Sequence, residues 1–106
     1  MPVYNKLVRD HIPDIIQKNG KHCITKILNH EEYIVELKKK SMEEIEEYMN
    51  ADTNDHALEE LADVLEIIQA LAICHGASIE KVEEIRKQKS EERGGFEQRI
   101  FLVEVE

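Results

Sequence analysis

The sequence predicts a mainly α-helical fold: a helical bundle in one domain, residues 1–106, flanked by two short strands. Two observations carry this. Capping residues precede long stretches in which apolar side chains recur at helical spacing. Asn-Gly, Gly and Gly-Gly signals then fall where those stretches should stop. The composition adds a third point: 35% of residues are charged, with three Tyr, two Phe and no Trp. A core built from so few large residues is modest, and subunit association could supplement it.

The elements follow in order. Pro13 suits the first turn of a helix that runs to about Lys18 and is closed by Asn19-Gly20. Residues 22–28 (HCITKIL) read as a strand. Asn29, with Glu32 three residues on, makes a capping box that opens a helix to about Met49. After a polar loop at residues 50–54, Asp55 is the expected cap of a second long helix, which ends near Cys74 with Gly76 placed for the C-terminal turn. Ser78 caps a last helix to about Arg93, stopped by Gly94-Gly95. Residues 100–105 (IFLVEV) read as a second strand that could pair with the first, since an isolated two-stranded ribbon must pack on helices to persist.

The net charge is −9, from 14 basic and 23 acidic side chains. Nucleic-acid binding needs a basic footprint, so this balance argues against it. It would also repel a nucleotide unless a cation or a local basic patch reversed the sign. No apolar run approaches the roughly 20 residues of a membrane span, and no secretory signal pattern opens the chain. Two cysteines, Cys23 and Cys74, are too few for a disulfide scaffold, so the expected location is cytoplasmic.

The arrangement of the acids is more informative than their number. On a helical wheel, Leu58, Leu61, Val64, Leu65, Ile67, Ile68 and Leu71 cover about half the circumference, opposite Glu59, Glu66 and Gln69. Glu60 breaks the rule by falling inside the apolar arc, and Asp63 lies beside Ile67, three residues on. In the preceding helix the arc runs through Tyr33, Ile34, Leu37, Ile45, Tyr48 and Met49. Glu44 falls between Tyr33 and Leu37, Glu47 lies near the arc's edge with Lys40 between them, and Glu43 and Glu46 point away. Two antiparallel helices would then face each other with two carboxylates apiece. Burying four unpaired carboxylates is costly, and a hard divalent cation, Mg²⁺ or Mn²⁺, removes that penalty. The bland alternative is a solvated Glu-rich face pairing with nearby lysines. It suits the run EEIEE alone better than it suits two matched pairs.

Other candidates are sparser. In the last helix the stripe Ile79, Val82, Ile85 continues as Arg86, Lys89 and Arg93, a basic set aimed at acids or phosphate, or simply at the helix's negative C-terminal end. Lys6 and Arg9 form a second small basic group. The histidines show no metal-ligand spacing, and capping or exposure accounts for those near helix ends. Cys74 reads as packing, and neither cysteine reads as catalytic.

The pattern Glu44-x-x-Glu47, twelve residues, Glu60-x-x-Asp63 resembles the signature of the all-α nucleotide pyrophosphohydrolases, the MazG-like superfamily. Its context agrees: KKSMEEIEE at residues 39–47 and EELADVLEIIQALA at residues 59–72. The opening YNKLVRDHIPDII and closing SEERGGFEQRIFL resemble a branch of small stand-alone house-cleaning pyrophosphatases, with His11 where that branch often has lysine. The central helices also resemble phosphoribosyl-ATP pyrophosphohydrolase.

The resemblance implies Mg²⁺ held by Glu44, Glu47, Glu60 and Asp63. It implies cleavage of a nucleoside triphosphate between its α and β phosphates, to a monophosphate and pyrophosphate. Glu44 and Glu47 are then the catalytic pair, with Glu47 chosen as general base. Lys40, Arg86, Lys89 and Arg93 would hold phosphate, as would Lys6 and Arg9 from a neighbouring subunit of a homodimer or homotetramer. Phe96 is a candidate to stack on a base, with core packing as its alternative. Two other functions stay open: phosphoribosyl-ATP hydrolysis, and a non-catalytic helical oligomerisation module that keeps the acids as structural ion pairs.

Overall fold

The computed structural model describes residues 3–106. Among these residues four helices form: α1 (Ile12–Lys18), α2 (His30–Met49), α3 (Asn54–Cys74) and α4 (Ile79–Arg93). Their ends follow the local chemistry. At the start of α2, Glu32 N–H donates to Asn29 Oδ1 at 2.9 Å, and Asn29 N–H donates back to Glu32 Oε1 at 3.4 Å, completing the capping box. Ser78 Oγ accepts from Lys81 N–H at the start of α4. At the end of α3, Gly76 N–H donates to the Ile73 carbonyl at 3.0 Å and Ala77 N–H to the Ala72 carbonyl at 2.9 Å. This paired closure requires the left-handed conformation of Gly76, at φ 74°. The cap of α3 differs from expectation: Thr53, not Asp55, accepts from His56 N–H, so the helix begins at Asn54 and Asp55 lies in its first turn.

Helices α2 and α3 form the centre of the molecule, and α4 packs on α3 alone among the described residues. The hairpin geometry explains which residues meet. Glu44 and Glu60 each stand eight residues from Asp52, and Leu37 and Ile67 each stand fifteen. An antiparallel fold-back therefore brings each pair to the same level. Leu37, Ile67 and Ala72 form the buried apolar core.

The rest of the molecule is open. The radius of gyration is 18.1 Å, against about 13 Å for a compact chain of this length. Leu58, Leu61 and Leu65, three of the seven residues of the apolar arc of α3, are exposed, because α2 and α4 together cover less than its width. Val82 and Ile85 of the α4 stripe are also exposed.

The two expected strands are absent among the described residues. Residues 22–28 and 100–105 carry no regular structure, and Ile24 and Phe101 are 102% and 87% exposed. A strand is held by the hydrogen bonds of a neighbour, and among the described residues these segments have no ladder partner to make use of their β-branched residues.

No helix among the described residues is long and apolar enough to cross a membrane. Leu37→Ala should cost about 2–5 kcal/mol and Asn29→Ala about 1 kcal/mol in urea unfolding, whereas Ile24→Ala should cost little.

Candidate metal centre

The α2–α3 hairpin brings three carboxylates together. One oxygen each from Glu44, Glu47 and Glu60 lies within 4.8 Å of the others. Glu44 and Glu60 are only 7% exposed, while Glu47 is exposed at the edge of the group. Within it, Glu44 Oε2 and Glu60 Oε2 are buried without a hydrogen-bond partner. Unpaired buried carboxylate oxygens are expensive, so this geometry has an unmet demand for positive charge.

Neighbouring groups meet that demand only in part. Lys40 Nζ stands 3.8 Å from Glu44 Oε1, too long for a close hydrogen-bonded pair. His56 Nε2 lies 3.2 Å from Glu60 Oε1, and its Nδ1 lies 3.6 Å from Asp52. Burial pushes the Glu44 carboxyl up to about 7, helped by the adjoining Glu60 carboxyl and by the charges of Glu47 and Asp63, with Lys40 opposing. The donor set is all oxygen and anionic, which suits a hard divalent cation such as Mg²⁺ or Mn²⁺.

The remaining expected site residues divide into two groups. Asp63 stands outside the three-carboxylate group: its Oδ1 accepts from the Arg9 guanidinium at 2.7 Å. Lys6 Nζ donates to Glu43 at 2.6 Å. So Glu43, expected to point away unengaged, is half-buried and holds the N-terminal segment. Glu46, also expected to point away, joins Glu43, Glu47, Asn50 and His56 around an open cleft of about 360 Å³. On α4, Arg86 is exposed and its guanidinium grips Glu83 of the same helix at 2.6 and 2.9 Å, so it is not turned to the acid cluster. Lys89 and Arg93 are exposed on a helix that meets α3 but not α2 among the described residues. Phe96 is 95% exposed, so its packing alternative does not hold within the chain.

His56 is the residue that sequence reasoning passed over. Its signal was present in the spacing, because His56 and Glu60 are four apart and so adjacent on one helix face. A histidine paired with a carboxylate falls outside the paired-histidine spacing of a metal site.

No protein-family model matches the chain, and no solved structure matches it. A protein of Mycolicibacterium smegmatis (strain ATCC 700084 / mc(2)155), described only as uncharacterized, is 43% identical over 54 residues. That similarity covers 51% of this chain, and the chain spans about half, 55%, of the relative's length.

The elevated Glu44 group fixes a sign for pH dependence. Between its ordinary 4.5 and about 7, the folded protein holds a proton that the unfolded chain has released. Stability of the metal-free protein should therefore fall as pH rises through that interval. Thermal melts in chelator should show the decline, and Glu44→Gln, which keeps the shape without the charge, should flatten it.

Proposed function

We propose that this chain is a divalent-cation-dependent nucleoside triphosphate pyrophosphohydrolase of the MazG-like kind, acting on non-standard or surplus nucleotides in the cytoplasm. The observation that carries the reading is the group Glu44, Glu47 and Glu60, with two buried oxygens left unpartnered. Such a group is poorly explained by an oligomerisation module, because acids kept as structural ion pairs would have their oxygens paired. The resemblance of the four-acid pattern to the MazG-like signature supplies the reaction class. Unpaired cysteines, both Cys23 and Cys74, support the cytoplasmic location.

Glu44, Glu47 and Glu60 would hold Mg²⁺. When bound, the cation supplies neutralisation of phosphate charge and acidification of water. The exposed Glu47 carboxylate is the base that accepts the proton of a water attacking the α-phosphorus. As the new phosphorus–oxygen bond forms, the bond to the bridging oxygen breaks and pyrophosphate leaves with that electron pair. Lys40, beside Glu44, contributes positive charge to the phosphates. His56 holds Glu60 from the solvent side and keeps its carboxylate oriented. Association into a homodimer or homotetramer would cover the exposed apolar surface. It could also bring Arg86, Lys89 and Arg93 of one copy to the acids of another.

Pyrophosphate release should be assayed with Mg²⁺ over standard, deoxy and damaged triphosphates plus phosphoribosyl-ATP. Glu60→Gln should cost at least about a hundredfold in turnover, whereas Glu59→Ala, on the exposed face of α3, should leave it nearly intact. Mg²⁺ should raise the melting temperature of the wild type and not that of Glu60→Gln. A preference for phosphoribosyl-ATP over every ordinary triphosphate would move the assignment to that substrate.

A further inference from the structure

The N-terminal segment makes an unusual connection. Among the described residues, no backbone–backbone hydrogen bond involves residues 3–8. The segment is nonetheless fixed to both acid-bearing helices, through Lys6 to Glu43 on α2 and Arg9 to Asp63 on α3. Glu43 adjoins Glu44 in the chain, and Asp63 lies one turn beyond Glu60. The two ion pairs therefore bracket the carboxylate group.

We propose that residues 3–11 form a strap in which Arg9 is an exchangeable counter-ion. A divalent cation entering the Glu44–Glu47–Glu60 group draws Asp63 away from Arg9, and the released guanidinium becomes a binding site for a phosphate-bearing anion. This rests on the reading of that group as a cation centre.

Three features support the exchange. The Arg9–Asp63 pair is well exposed on both sides, with 58% and 37% side-chain exposure, and pairs of that kind contribute little to stability. A divalent ion attracts a carboxylate about twice as strongly as a guanidinium at equal distance and dielectric. The freed guanidinium presents a planar fork that fits phosphate oxygens two at a time. Lys6 stays with Glu43, which lies outside the three-carboxylate group, so the strap remains tethered while Arg9 moves. Cation and anion then bind with positive coupling, each improving the other by the same factor.

The test uses the full chain with Mg²⁺ and inorganic phosphate as probes, the latter chosen because it complexes Mg²⁺ only weakly. In calorimetry, Arg9→Ala should bind Mg²⁺ about twofold to fivefold more tightly than wild type, since a competing cation is gone, yet lose the phosphate binding that Mg²⁺ induces. Independently, trypsin should cut wild-type protein after Arg9 at least about threefold faster with Mg²⁺, and phosphate should restore protection. Weaker or unchanged Mg²⁺ binding by Arg9→Ala, or cutting indifferent to Mg²⁺, would overturn the strap while leaving the cation centre intact. Absence of Mg²⁺ binding by the wild type would overturn the cation centre, and the strap with it.

Discussion

Two carboxylates buried on facing helices, each with one oxygen lacking a partner, are the constraint on which the rest of this structure depends. An uncompensated buried charge costs several kcal/mol, a large fraction of what a small domain has to spare. The chain responds in two ways: Glu44 is raised towards neutrality, and Lys40 and His56 stand beside the buried pair. Each response lowers the cost of burial without removing it, while the nearby Glu47 carboxylate adds to that cost. A divalent cation would remove it, which is why the proposed chemistry and the proposed stability behaviour share one origin.

The acids are carried on helices, not loops, and that choice has a mechanical meaning. Leu37 and Ile67 lock α2 to α3 about two turns further along the hairpin from Glu44 and Glu60. Side chains on a packed hairpin hold their spacing better than side chains on a connecting segment. Away from this hairpin the packing thins quickly: α1 meets no other helix and α4 meets only α3 among the described residues. The rigid part of the molecule is thus the part that bears the carboxylates. The open part bears most of the exposed apolar surface, and the proposed association of copies has its material there.

The basic residues follow the same division. Lys40 lies within the hairpin and faces its acids directly. Lys6 and Arg9 arrive from a segment with no secondary structure of its own before α1, and their ion pairs join it to the hairpin. The α4 set is turned outward, with Arg86 engaged on its own helix. A net charge of −9 therefore does not describe the site by itself, because Lys6, Arg9 and Lys40 each pair with an acid of the hairpin.

Helix positions, the caps of α2 and α4 and the inward placement of Glu44 and Glu60 are legible in the sequence, since each depends on residues within a turn or two of one another. Asn29 with Glu32, Ser78 and Gly76 act through local hydrogen bonds, and the break in the apolar arc at Glu60 needs only helical periodicity to be seen. The cap of α3 lies two residues before Asp55, at Thr53, because the two offer competing oxygens and only the actual chain path selects one. Strands, Arg9 with Asp63, Lys6 with Glu43 and the wide exposure of α3 were not legible, because they join or leave apart residues distant in the chain. Sequence by itself determined which side chains share a face. Tertiary structure decided which faces meet, because the energies of pairing and burial depend on distances that no local pattern specifies.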